Sequence, residues 1–179
     1  MTELIAVTKA AVRAAHWHSD QRRKGAAQEP YVNHLLEVAG LVAEATGGED
    51  LNLVIAALLH DSVEDQERTR AEIAAEFGED VAALVMEVTD DKTLPKAERK
   101  ALQIHNAPHK SARAAILKLA DKTSNLTALA LSPPAGWSMQ RRADYVQWAR
   151  DVVAGLPSDN AFLHRRFAEA VAKAERSAV

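Results

Sequence analysis

Apolar residues recur along this chain at intervals of three and four, the spacing that gives a helix one buried face. Leu4, Val7, Ala11, Val12 and Ala15 predict a first helix running to about Ser19. The polar run Asp20-Gln21-Arg22-Arg23-Lys24-Gly25 then opens a loop that reaches Pro30. Asn33 is the expected N-cap of a second helix, which carries Leu35, Val38, Leu41 and Val42 and stops at Gly47-Gly48. A third segment, Leu51 to about Val63, is apolar nearly all round and is expected to be the central buried helix. Thr69 and Glu72 have capping-box spacing, and Gly78 ends the short helix they start.

Val81, Leu84, Val85 and Val88 mark the next helix. Thr89 to Pro95 reads as a loop, with Pro95 opening a helix that Pro108 ends. A long helix from about Ser111 carries Ile116, Leu117, Ala120 and Leu129. Ser132-Pro133-Pro134-Ala135-Gly136 is a tight connector, and Ser138 can cap the helix after it. Two last helices hold Tyr145, Trp148 and Val152, then Phe162, Phe167 and Val171. No segment alternates like a strand and nothing repeats. Short connectors between helical stretches predict one all-α domain, a helical bundle spanning residues 1–179.

Composition supports helices and narrows the chemistry. Ala, Leu, Glu, Lys and Arg dominate, and aromatics make up only 4% of the 179 residues. There is no cysteine, which excludes disulfides and thiolate metal sites. Met1-Thr2-Glu3-Leu4 shows no basic segment leading into an apolar run, so no signal peptide and a cytoplasmic location are expected. No apolar stretch is long enough to span a bilayer, so no membrane partner is expected. A net charge of -3 gives no basic footprint for nucleic acid, and an anionic small molecule would need a local cluster of Arg and Lys.

The string Leu58-Leu59-His60-Asp61-Ser62-Val63-Glu64-Asp65 ends an apolar helix in four ionisable side chains. Burying such groups unpaired costs several kcal/mol by order of magnitude, so something must compensate them. A divalent cation would do so. At helical spacing His60 pairs with Glu64 and Asp61 with Asp65, each pair on one face. Two residues can then bind metal while the next turn supplies carboxylates for acid–base work. His34 opens a helix after Pro30-Tyr31, and Asp121 interrupts the apolar stretch Leu117 to Ala120. Together the four make a mixed nitrogen and oxygen set that suits Mn²⁺, Fe²⁺ or catalytic Zn²⁺. His105 and His109 are separated by the helix-breaking Pro108, while His16 and His18 face different ways. His16, His105, His109 and His164 read as surface or core histidines.

The order His34, His60-Asp61, Asp121 resembles the HD superfamily of metal-dependent phosphohydrolases. Longer strings resemble the RelA/SpoT-type alarmone hydrolases: Ala15 to Gly25 followed by Pro30 to His34, Ala56 to Asp65, Val88 to Pro95, and Lys118 to Lys122 with Asn125-Leu126. The match runs in order from about Val7 to Leu163. At this length it leaves no room for the synthetase and regulatory domains of the long enzymes. The chain is therefore similar to stand-alone small alarmone hydrolases, the metazoan SpoT homologue among them. Two departures stand out. Leu35 follows the ligand histidine where proline is frequent, and Thr123-Ser124 stands where bulkier residues are common.

The resemblance implies Mn²⁺-dependent removal of the 3′-pyrophosphate from ppGpp and pppGpp, giving GDP or GTP plus pyrophosphate. It implies His34, His60, Asp61 and Asp121 as metal ligands, with Glu64 and Asp65 as the catalytic carboxylate pair that orients or deprotonates the attacking water. Arg23 and Lys24 match the basic pair near the nucleotide, and Asn125 a ribose contact. Tyr145 either closes the nucleotide pocket by stacking or is a core aromatic beside Trp148. Three other readings remain: an HD hydrolase acting on another nucleotide, such as a 2′-phosphatase of NADPH; a binding protein that lost catalysis; and a helical nucleic-acid binder. The intact carboxylate pair argues against the second, and the acidic balance against the third.

Overall fold

The chain runs through α1 (Glu3–Trp17), α2 (Val32–Thr46), α3 (Leu51–Leu59), α4 (Ser62–Gln66), α5 (Arg70–Phe77), α6 (Glu79–Val88), α7 (Lys96–Asn106), a single 3₁₀ turn (Ala107–His109), α8 (Ala112–Leu131), α9 (Met139–Gly155) and α10 (Ala161–Arg176). The computed structural model describes residues 3–177. Met1 and Thr2, on which part of the expectation about the amino terminus rests, lie outside the described residues. Among the described residues there is no strand, only an isolated bridge between Arg22 and Pro30 that closes the first loop. Among these residues no helix is long and apolar enough to cross a membrane.

The apolar run of α3 makes it the centre of the fold. Every residue from Leu53 to Leu59 is buried, and the helix packs against α1, α2, α6 and α8. Each fully buried leucine here stabilises the fold by about 1.5–3 kcal/mol. The Asp50 carboxylate caps α3 by accepting from the Leu53 amide at 3.0 Å. The expected caps at Thr69 and Ser138 form as well, Ser111 caps α8, and Thr69 with Glu72 completes the capping box. The long α8 lies along α10 and touches α2, α6 and α9, while α7 packs on α9 as a separate wall. A cleft opens between that wall and the ends of α2, α3 and α8.

Three boundaries differ from expectation. First, α1 ends at Trp17, and His18 turns inward. Second, α2 begins at Val32, so Asn33 sits in its first turn instead of capping it. The chain is already turning at Pro30, whose carbonyl accepts the Asn33 amide at 3.1 Å. Third, the predicted helix from Leu51 to Val63 breaks after Leu59. His60 keeps helical angles, but Asp61 moves to φ −96° and ψ 0°, and α4 restarts at Ser62. The Asp61 carboxylate does not cap the new helix; one of its oxygens accepts from the Tyr31 hydroxyl at 2.6 Å.

Candidate metal centre and active-site cleft

Charged residues stand in the middle of α8 where an apolar face would be expected. Lys118, Asp121, Lys122, Thr123 and Ser124 are all buried. Such burial is tolerable only with partners. Lys118 donates to the Val88 carbonyl at 3.2 Å, and Lys122 pairs with Asp121 at 3.2 Å. The other Asp121 oxygen accepts from the Asn125 amide at 2.6 Å and faces His34 Nε2 at 3.4 Å.

The end of α3 and the start of α2 meet this part of α8. His60 Nε2 lies 3.1 Å from an Asp61 oxygen and 3.9 Å from Asp121. His34 Nε2 lies 3.6 Å from the same Asp61 oxygen. His34, His60 and Asp121 each offer one atom, and all three atoms lie within 4.8 Å of one another. Asp61 borders this group, with one oxygen held by the Tyr31 hydroxyl.

The orientation of the rings suits a cation. His60 Nδ1 lies 2.8 Å from the Ala57 carbonyl, an acceptor, so Nδ1 carries the proton and Nε2 presents a lone pair. That Nε2 is buried and has no hydrogen-bond partner. Lone pairs of imidazole and carboxylate converging at such distances repel unless a positive charge lies between them. A divalent metal ion fits that requirement, and the donor set suits Mn²⁺, Fe²⁺ or Zn²⁺. The surroundings favour positive charge here: burial alone would lower the His60 imidazole, but the Asp61 and Asp121 carboxylates outweigh it and push it up to about 9. Burial would raise both carboxyls; His60 outweighs it at Asp61 and Lys122 at Asp121, holding them well below the usual carboxylate range. Burial lowers His34.

Glu64 and Asp65 face the same cleft as Asp61. Glu64 accepts from the Asp90 amide at 3.3 Å and pairs with Arg99 at 3.5 Å. Burial, then the Asp61 and Asp90 carboxylates, raise its pKa. Asp65 is held at both oxygens: Gln21 donates to one at 2.7 Å and Lys92 pairs with the other. Gln21 is itself fixed, since its amide oxygen lies 2.6 Å from His18 Nδ1 and accepts from Gln66 at 2.7 Å.

The cleft encloses about 800 Å³. Arg23 reaches across it to the Asn125 amide oxygen at 3.4 Å, which joins two of the residues expected at the nucleotide. Lys24 lines the same rim. Tyr145 packs between Trp137 and Trp148, with ring centroids 5.5 and 5.2 Å away, and also lines the cleft. His16, His105 and His109 lie at the surface, as expected, and His164 is half-buried against the Ser158 carbonyl.

Sequence reasoning missed three groups. Tyr31 and Gln21 reach Asp61 and Asp65 far along the chain, while His18 meets Gln21 three residues on, a pairing set by the turn after α1. The basic wall opposite the acids, formed by Lys92, Lys96, Arg99, Lys100 and Arg141, was also missed. Its core was legible: Lys96, Arg99 and Lys100 stand at i, i+3 and i+4, one face of α7. Trp137 and Trp148 complete the cleft's aromatic side.

Two imidazoles and two carboxylates, brought together from the start of α2, the junction of α3 and α4 and the middle of α8 and flanked by a carboxylate pair, make up the set the sequence pointed to. Residues 10–155 match the HD domain family model HD_4. The chain belongs to the HD-domain family. Within it, the chain is 50% identical over 157 residues to the guanosine-3′,5′-bis(diphosphate) 3′-pyrophosphohydrolase MESH1 of Xenopus tropicalis, covering 88% of each chain. It is 47% identical over 159 residues to the Homo sapiens protein of that name, covering 89% of each. A solved structure described as a metazoan ortholog of SpoT that hydrolyzes ppGpp and plays a role in starvation responses matches with a TM-score of 0.88. The two share 43% identity over 92% of this chain and 93% of that one.

Proposed function

We propose that this chain, one HD-type domain over residues 1–179, is a cytoplasmic, Mn²⁺-dependent hydrolase of ppGpp and pppGpp that releases the 3′-pyrophosphate. The observation that carries the reading is the division of one cleft into two walls. Imidazoles and carboxylates converge on one side, and Lys92, Lys96, Arg99, Lys100 and Arg141 face them from the other. A nucleotide with phosphates at two ribose positions needs both walls at once. Near-half identity to relatives named for this reaction supports it.

His34, His60, Asp61 and Asp121 would hold the ion. When bound, a divalent metal acts as a Lewis acid toward phosphoryl oxygen and lowers the pKa of water. The chain's own side chains supply the rest. Glu64, with its pKa raised by burial and neighbouring carboxylates, is tuned to take the proton of the attacking water. Asp65, held at both oxygens by Gln21 and Lys92, orients that water. Arg23 and Asn125 hold the base and sugar, and Tyr145 with Trp137 closes the aromatic side. This fixes which phosphorus meets the water, and positioning of that kind is worth several kcal/mol by order of magnitude.

The test is product identity. The protein is incubated with Mn²⁺ and ppGpp, pppGpp or NADPH, and products are read by phosphorus NMR. Intact pyrophosphate from the guanosine substrates is expected. Orthophosphate as first product, or NADPH turnover far above that of ppGpp at equal concentration, overturns the assignment.

A further inference from the structure

The two imidazoles of the metal centre are held differently. His60 Nδ1 rests on a backbone carbonyl of its own helix. His34 has no such support, because it stands in the first turn of α2. Its Nδ1 lies instead 2.8 Å from the Ser124 hydroxyl, and that hydroxyl donates to Glu37 Oε2 at 2.7 Å. Ser124 is fully buried, while Glu37 is exposed on α2 and reaches the seam between α2 and α8.

We infer that Ser124 and Glu37 are positioning residues for the metal ligand His34, a relay that sets its tautomer and its aim. The inference rests on the reading of His34 as a ligand. A hydroxyl has one proton. Here Glu37 takes it, so Ser124 Oγ faces His34 with lone pairs only. His34 must then carry its proton on Nδ1, leaving the Nε2 lone pair directed at Asp61 and Asp121. Without the hydroxyl, the Nδ1 proton of a buried ring has no acceptor. The favourable alternative is then the opposite tautomer, with Nε2–H donating to the Asp121 oxygen 3.4 Å away. That tautomer blocks the metal.

Spacing places the relay where it acts on two ligands together. Glu37 is three residues after His34 on α2, and Ser124 is three residues after Asp121 on α8, so each shares a face with a ligand. The hydroxyl therefore also ties the α2 ligand to the α8 ligand. Ser124 is one of the positions where the chain departs from the family's bulkier residues. A small hydroxyl at this point leaves room for the Glu37 carboxylate to reach it.

Partners that fix a ligand histidine typically change metal affinity by about 10–100-fold when lost. Mn²⁺ dissociation constants, from calorimetry and from the paramagnetic resonance of free Mn²⁺, test the relay directly. Ser124→Ala should bind Mn²⁺ about 10–100-fold more weakly, and turnover should recover at saturating Mn²⁺. Ser124→Thr, which keeps a hydroxyl, should stay within a fewfold of the unsubstituted protein. Glu37→Leu, at an exposed position that leaves the core intact, should weaken Mn²⁺ in the same direction by a smaller factor. It decides the matter if Ser124→Ala does not fold. Unchanged Mn²⁺ affinity in Ser124→Ala or, failing that, in Glu37→Leu overturns the relay, as does equal weakening by Thr and Ala at position 124. His34→Ala is the separate control: tight Mn²⁺ binding in that variant would mean that the ligand reading itself fails.

Discussion

Replacing Gly25 with alanine should weaken nucleotide use while sparing the metal centre. Gly25 lies where the loop between α1 and α2 crosses the end of α8. A Cβ there would fall within contact distance of the Ser132 carbonyl oxygen and 2.7 Å from its hydroxyl oxygen, against about 3.4 Å for ordinary contact. The nearest atom is backbone, so no side chain can swing aside. The loop itself must retreat, and the Ala27 amide's bond to Ser132 Oγ, 2.9 Å long, must stretch with it. Arg23 is on this loop, tied at its amide to the Glu29 carbonyl, and meets Asn125 only at 3.4 Å. A shift of roughly 1 Å is enough to break that contact, and misplacement on this scale can cost up to about a hundredfold in rate. Steady-state kinetics on ppGpp should show KM raised by about tenfold or more for Gly25→Ala. Bound Mn²⁺, measured on the same preparation, should match the unsubstituted protein. Unchanged KM would refute the loop's role in holding the nucleotide, and loss of metal would show that the loop supports the centre instead.

His60→Ala or Asp121→Ala should lose bound metal and turnover together. Chelation should abolish activity, and Mn²⁺ should restore it better than Mg²⁺, which prefers oxygen ligands and water; full activity in Mg²⁺ alone would contradict the two-imidazole site. Glu64→Gln should keep metal content near normal while turnover falls by roughly two to four decades, the usual weight of a general acid or base. Metal loss in that variant would make Glu64 a ligand. At the far side of the fold, Arg113 forks between Asp50 and Asp80 at 2.7–2.9 Å, and its hydrogen bonds hold both carboxyls below their usual value. Groups depressed in this way add stability above the ordinary Asp value of 3.8, and the contribution is lost as pH falls through their folded values. Arg113→Ala should therefore cost roughly 1 kcal/mol at neutral pH, a modest sum for partly exposed pairs. Thermal melts should show that difference shrinking below about pH 4; a constant difference down to pH 2 would sink the reasoning.

Most helix positions and the caps at Thr69 and Ser138 were legible along the chain because each depends on neighbours a few residues away. The three- and four-residue spacing of Leu35, Val38, Leu41 and Val42 requires a buried face whatever lies opposite. Thr69 finds Glu72 within one turn, and His60-Asp61 at the end of an all-round apolar helix announces a buried charge problem before any partner is known. The same reasoning failed where a distant group outbid a local one. The Tyr31 hydroxyl meets the Asp61 carboxylate from 30 positions earlier, at the point where Asp61 leaves helical geometry. Gln21 reaches Asp65 across 44 positions, and Ser124 reaches Glu37 across 87. Periodicity reports only which face of an element is apolar. It cannot say which polar groups from other elements will meet there, since hydrogen bonds of 2.6–2.7 Å depend on how α2, α3 and α8 pack. The sequence by itself therefore determined the helices and pointed to the buried cluster of imidazoles and carboxylates. Only the packing of those helices decided the tautomers, the held carboxylates and the basic wall opposite them.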